Sequence, residues 1–91
     1  FTIDATAIPA FEVKYMIRRG TDIQTGVVSV IASTDGTGGD LNWQDPNSGY
    51  NVDPGVSFNV SETSSTVSFG YTSTSTGVTG TFYYSISYFQ I

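Results

Sequence analysis

Apolar and polar residues alternate with a period of two through much of this chain, and this alternation limits its fold more than any other feature. The clearest run is residues 11–18, where Phe11, Val13, Tyr15 and Ile17 share one side of the pattern. Successive side chains of a β-strand point to opposite faces, so this run predicts a strand with one apolar face. A helix over residues 10–19 is the competing interpretation, although period two fits the run better than period 3.6.

Other runs of strand-forming residues are separated by short polar or glycine-containing turns. They lie at residues 1–7, 25–32, 56–60, 67–71 and 82–88. The run at 25–32 has β-branched residues on both faces, so we expect it deep in a sheet or covered by another chain. The last three runs predict an antiparallel meander. We expect residues 41–52, which have no regular period, to form a long loop with at most short strands.

Six or seven short strands predict an all-β fold: a small antiparallel β-sandwich, jelly-roll or immunoglobulin-like, with a closed barrel as the alternative. The chain is short enough for residues 1–91 to be one domain. The residues expected to point inward are Val13, Tyr15, Ile17, Val28, Val30, Val56, Phe58, Val60, Val67, Phe69, Tyr71, Phe82, Tyr84 and Ile86.

Composition excludes several classes of chemistry. The chain has no cysteine and no histidine, so it has no ligand set for a structural zinc site, no disulfide and no imidazole or thiol catalysis. Its net charge of −5 repels the phosphate backbone of nucleic acids. Without an apolar run of about 20 residues we expect no membrane insertion. We also expect no cofactor.

Five segments carry a pattern in their order and spacing. They are VKYMIRRGTD at 13–22, GVVSV at 26–30, GVSFNV at 55–60, VSFGYTSTSTG at 67–77 and GTFYYSISY at 80–88. Together they resemble a β-sandwich module that recurs at the C-terminal ends of bacteriophage tail-fibre, appendage and other virion structural proteins. The resemblance covers about residues 11–91, whereas residues 35–52 are longer and more aromatic than that family leads us to expect.

The resemblance implies a trimeric fibre tip on the virion surface, or an extracellular tip of a phage-like bacterial fibre. It also implies that the chain is the C-terminal fragment of a longer fibre protein. Its expected function is receptor binding without catalysis, in which the tip acts as an adhesin for a cell-surface glycan or protein. A purely structural module that caps a trimer and a carbohydrate-binding module of an enzyme are the alternatives.

The irregular loop is the candidate ligand site. Aromatic rings flanked by carboxylates and amides suit sugars, which have apolar C–H patches bordered by hydroxyls. Trp43 and Tyr50 would stack on the ligand. The expected hydrogen-bonding partners are Asn42, Asp45 and Asn47. The alternative is that Trp43 closes one end of the core and that the Asp and Asn residues form turns.

Apolar surface on the last strand suggests a subunit interface. Tyr83, Phe89 and Ile91 alternate with the inward residues, so they lie on the outer face unless they cover the base of the core. Arg19 is a further interface candidate, with pairing to Asp22 or Asp4 within the chain as the alternative.

Two other chemistries are less well supported by the spacing. Calcium would need several oxygens from Asp35, Asp40, Asn42, Asp45 and Asp53, which do not match the spacing of a calcium-binding loop and are typical turn formers. A glycosidase needs two acids across a cleft, and so small a chain leaves little room for one. We therefore predict neither a metal site nor an enzyme.

Overall fold

A computed structural model describes residues 1–45, 49–74 and 77–88, and all the regular structure in these ranges is β. Its eight strands are β1 (Thr2–Asp4), β2 (Ala10–Arg19), β3 (Asp22–Ile31), β4 (Asn42–Gln44), β5 (Gly49–Tyr50), β6 (Val56–Thr63), β7 (Thr66–Ser73) and β8 (Gly80–Tyr88). The predicted all-β class is confirmed. The alternating run at Ala10–Arg19 is a strand and not a helix.

The described strands form two separate antiparallel sheets. One has three strands in the order β1-β7-β6, and the other has five, in the order β4-β3-β2-β8 with β5 also pairing β3. β2 and β3 form the longest hairpin, in register from Ala10 opposite Ile31 to Arg19 opposite Asp22. Gly20, at a φ of 64°, makes the left-handed turn that this two-residue connection requires.

The β6–β7 hairpin has an unusual turn. Ser64 and Ser65 both have positive φ, at 50° and 61°, in a position where Asn-Gly is the usual choice. Two backbone hydrogen bonds hold Ser65 there: its nitrogen donates to the Gly36 oxygen at 3.0 Å, and its oxygen accepts from the Ala5 nitrogen at 2.8 Å. The loop of residues 33–40 thus supports a turn that the sequence of the hairpin disfavours.

Side chains from both sheets contribute to one core. Its buried members are Ile3, Phe11, Val13, Tyr15, Ile17, Val28, Val30, Val67 and Phe69. Val56, Phe58, Val60, Phe82 and Ile86 are partly buried against it. The alternation of β2 is visible as alternating burial along the strand, as expected for a strand with one face on the core.

The expected meander of the last three strands is wrong at its final step, because β8 pairs with β2 and not with β7. In this register Phe82, Tyr84 and Ile86 lie opposite Ile17, Tyr15 and Val13. Such aromatic and β-branched cross-strand pairs stabilise a sheet. The predicted core is also wrong at two positions, since Tyr71 on β7 is 62% exposed and Tyr84 on β8 is 52% exposed.

Candidate binding surface at the β3 edge

The predicted ligand loop lies along the edge of the five-stranded sheet. β4 pairs with β3 at Ser29 to Ile31, and β5 pairs with it at Gln24 and Thr25. Because β2 pairs with β3 along its other side, β3 is flanked on both sides, as its apolar composition predicts. The two short strands also position the aromatic residues of the loop, since the register of each strand determines which β3 residue its side chains lie beside.

Trp43 and Tyr50 are well separated on this edge. Trp43 lies opposite Val30 and Tyr50 opposite Gln24. Six residues of strand correspond to about 20 Å at roughly 3.4 Å per residue. Trp43 is 37% exposed and Tyr50 is 59% exposed. The two rings are thus separate contact points at the ends of one edge, and a single sugar ring cannot stack on both.

Asp45 faces inward. The Tyr15 hydroxyl donates to Oδ2 of Asp45 at 2.7 Å, and the same hydroxyl accepts from Nε2 of Gln24 at 3.1 Å. Oδ1 of Asp45 is buried and has no hydrogen-bond donor among the described residues. Burial and the Asp45 carboxylate raise the pKa of Tyr15 far above its usual range. This carboxylate stabilises the loop and is turned away from any external ligand.

Gly26 makes room for this contact. It lies opposite Tyr15 in the β2–β3 hairpin. A Cβ at this position would lie 2.6 Å from the Tyr15 hydroxyl oxygen and 2.8 Å from Oδ1 of Asp45. A glycine here lets the tyrosine side chain cross β3 and reach the loop.

Other polar residues of the loop are either exposed or hold its backbone. The Asn42 side chain is exposed and accepts a hydrogen bond from Nε2 of Gln44 at 3.3 Å. Asn51, which sequence reasoning missed, accepts from the Ile23 nitrogen at 2.8 Å and donates to the Thr21 oxygen at 3.0 Å. It therefore fixes β5 beside the β2–β3 turn. Asn47 lies outside the described residues.

Comparison with models of known protein families, with curated proteins and with solved structures finds no significant match to this chain. No described segment forms a helix long and apolar enough to cross a membrane.

Arg19 joins four segments of the chain. Its Nε donates to the Val78 oxygen at 2.9 Å, Nη1 to the Pro54 oxygen at 2.8 Å and Nη2 to the Thr74 oxygen at 2.7 Å. These acceptors are backbone carbonyls and not the Asp22 or Asp4 carboxylates considered from the sequence. The guanidinium thus connects the end of β2 to three other segments. They are the residue after β7, the loop before β6 and the loop before β8.

The remaining candidates from the sequence are the interface residues of the last strand and the acidic residues of a possible metal site. Tyr83 is exposed on the outer face of β8 beside Met16, whereas Phe89 and Ile91 lie outside the described residues. Among the described residues no group of three acidic side chains is placed to hold a metal ion. The Asp35 carboxylate accepts from the hydroxyl and the nitrogen of Thr37, and these bonds lower the pKa of Asp35. The Asp35 carboxylate therefore stabilises a turn, which is the role that the sequence offered as the alternative to a calcium site.

Sequence reasoning missed an open aromatic surface between β7 and β8. Phe1 stacks on Phe69 at 4.9 Å between ring centroids and on Tyr84 at 5.7 Å. We call the depression beside them the aromatic hollow; it has a volume of about 400 Å³ and is lined by Phe1, Phe69, Gly70, Tyr71, Phe82 and Tyr84. One signal for it was available in the sequence, since residues 80–88 carry aromatic rings on both faces of the strand.

Proposed function

We propose that this chain is a non-enzymatic attachment domain at the tip of a phage or phage-like fibre, binding a cell-surface glycan or protein. Such a tip is exposed on the virion surface or at the end of an extracellular fibre. The resemblance of residues 11–91 to fibre-end modules motivates the proposal. The observation that carries it is the position of Trp43 on a paired strand, with part of its ring exposed.

A ring held on a strand suits sugar recognition. Pairing of β4 with β3 fixes the Trp43 backbone, so little conformational entropy is lost when a ligand stacks on the ring. Asn42 and Gln44 precede and follow Trp43 and are exposed. Alternation places their amides on the opposite face of β4, where they would donate to and accept from the hydroxyls of another part of an extended ligand. Tyr50, about 20 Å away by the strand spacing, would contact a different residue of an extended glycan or a different part of a protein receptor.

The proposal includes a β-sandwich of the jelly-roll or immunoglobulin-like kind and assembly as a homotrimer. The shared core of the two antiparallel sheets supports the sandwich. A small domain buries only about 60% of the surface of its unfolded chain. Association with neighbouring copies would add the buried surface that so small a core lacks.

A structural module that caps a trimeric fibre is the second candidate. It is favoured by Asp45, whose carboxylate is used inside the domain. In this case the edge of β3 would serve stability alone, and Trp43 would cover Val30 at the margin of the core.

An array of diverse glycans probed with the wild-type chain tests the proposal. Trp43→Ala is the variant and Ile31→Ala is the matched control. Ile31 is an exposed apolar residue of β3, one register position from Trp43 and on the opposite face of the sheet. We expect binding to a restricted set of glycans, reduced about tenfold or more by Trp43→Ala and unchanged by Ile31→Ala. No binding by the wild type would favour the structural module, and equal binding by all three proteins would contradict the assignment of the glycan site to Trp43.

A further inference from the structure

The β8 edge of the five-stranded sheet has no protection of the usual kinds. Among the described residues β8 pairs on one side only, with β2, in an unbroken register from Gly80 to Tyr88. Soluble proteins guard such edges with charges, prolines, bulges or short strands. β8 is nine residues long and contains no charged residue and no proline. Its outer edge therefore presents a long row of backbone donors and acceptors suited to another strand.

The inner face of β8 is also only partly covered. Residues in register share a face of the sheet, so Tyr84 and Tyr88 lie on the same face as Tyr15 and Phe11. Tyr15 and Phe11 are buried, whereas Tyr84 and Tyr88 are each 52% exposed. The three-stranded sheet covers β2 but only part of the adjacent strand, where Phe82 and Ile86 are partly buried against the core. With Tyr71 at the aromatic hollow, β8 thus has both an open edge and a partly open apolar face.

The charge distribution indicates what covers this surface. With a net charge of −5, two copies of the chain repel each other wherever acidic groups would meet. β7 and β8 carry no acidic residue. The eight acids are Asp4, Glu12, Asp22, Asp35, Asp40, Asp45, Asp53 and Glu62. The surface formed by β8 and the aromatic hollow is therefore one on which a second copy can be seated without burying a charge.

We propose that a second copy of this chain covers β8, with one of its strand edges extending the five-stranded sheet and its apolar residues covering Tyr84 and Tyr88. A polysaccharide lacks the alternating amide donors and acceptors that an open strand edge pairs with. A second copy offers an unlike edge, that of β6 at the end of its three-stranded sheet, which has no partner among the described strands; pairing between unlike edges can repeat around a closed ring of three. The inference deepens the proposed fibre tip and rests on it only for the number of copies, which is three.

Light scattering of the chain after size separation, from low to high micromolar concentration, tests the inference. Ser85→Glu is the variant: it puts an acid at the centre of the β8 edge, yet Ser85 lies opposite Lys14, so the change favours the fold of the single chain. Ser68→Glu is the matched control, since Ser68 is exposed in the centre of the other sheet, between β1 and β6. The charge change is the same in both.

We expect the wild type and Ser68→Glu to have three times the mass of a 9.7 kDa chain and Ser85→Glu to fall threefold to the mass of one. A wild-type mass of two chains that Ser85→Glu halves would support the β8 contact and contradict the trimer. A wild-type mass of one chain at every concentration, an unchanged mass for Ser85→Glu, or an equal loss in both variants would overturn the inference.

Hydrogen exchange of the wild type gives a second readout that does not depend on a variant folding. We expect the protection of β8 amides to rise with protein concentration while that of β7 amides near Ser68 stays constant. Protection of β8 that is independent of concentration would overturn the inference.

Discussion

The hydroxyl of Tyr15 donates a 2.7 Å hydrogen bond to Oδ2 of Asp45, across 30 positions of sequence. This bond joins the centre of β2 to the segment that carries Trp43 and Tyr50. Gln24 donates to the same hydroxyl, so the tyrosine oxygen uses both its donor and its acceptor capacity. The candidate binding edge is therefore attached to the core by a buried polar contact as well as by strand pairing.

Removing the hydroxyl should destabilise the domain. Tyr15→Phe leaves Oδ2 of Asp45 without its donor and Nε2 of Gln24 without its acceptor, and such losses typically cost about 1–3 kcal/mol. Urea unfolding of the wild type and the variant measures the difference. Tyr50→Phe is the matched control, because Tyr50 is exposed and the same change there should alter the free energy of unfolding by less than about 0.5 kcal/mol. Equal stability of Tyr15→Phe and wild type would contradict the assigned role of this bond.

The same group predicts a loss of stability at alkaline pH. Because burial and Asp45 raise the pKa of Tyr15 above its ordinary value of 10.0, the folded state favours the neutral phenol. The contribution of the Tyr15 phenol to the free energy of unfolding is fully present below pH 10 and declines as the pH rises beyond the pKa of the unfolded state. The difference in free energy of unfolding between wild type and Tyr15→Phe should therefore shrink above pH 10. A difference that stays constant into that range would show that the phenol is not shifted.

The stability of the domain should be sensitive even to a conservative substitution of Arg19. Its guanidinium donates to three carbonyls from three different segments, and a lysine ammonium cannot reproduce that planar geometry. We expect Arg19→Lys to lower the free energy of unfolding by about 1–3 kcal/mol. The neighbouring Arg18 makes one 3.3 Å bond to the Gly20 oxygen at an exposed site, so Arg18→Lys should change it by less than about 0.5 kcal/mol. Similar effects of the two substitutions in thermal or urea unfolding would contradict this account.

The turn between β6 and β7 offers a stabilising change. Ser64 is held at a φ of 50°, a region that costs a non-glycine residue about 1–2 kcal/mol. Ser64→Gly removes that cost, but the larger conformational entropy of glycine in the unfolded chain offsets part of the benefit. We therefore expect the free energy of unfolding to rise by up to about 1 kcal/mol. Ser61→Gly, at an exposed site within β6, should instead destabilise by about 0.5–1 kcal/mol. Thermal unfolding distinguishes the two, and a loss of stability in Ser64→Gly would contradict the strain at this turn.

The local pattern predicts the strands but not all of their neighbours. Period two identified β1, β2, β6, β7 and β8 because alternation depends only on adjacent residues, and β-branched composition identified β3. The pairing of β8 with β2 depends on contacts between Tyr84 and Tyr15, far apart in sequence, which no local pattern encodes. Alternation likewise placed Tyr71 and Tyr84 on an inner face, but whether that face is covered depends on how far the opposite sheet extends.

The candidate site was predictable in part for the same reason. Trp43 and Tyr50 were identified as an aromatic pair in an irregular segment, and both are partly exposed. Their separation follows from the register of β4 and β5 on β3, which the sequence of the loop does not reveal. The inward position of Asp45 depends on Tyr15 and on the space at Gly26, and a carboxylate in a loop has no local mark of such a partner.

Trp43 is the only tryptophan in the chain, so its fluorescence reports directly on the proposed contact surface. The measurement is a titration of the wild-type protein with an oligosaccharide selected on the glycan array, following the emission of Trp43 and its quenching by acrylamide. We expect a saturable blue shift and reduced quenching, because a sugar stacked on the partly exposed ring removes water from it. Attachment through the β3 edge would be contradicted if the emission and quenching stayed unchanged while the oligosaccharide binds. It would also be contradicted if the protein bound no glycan on the array.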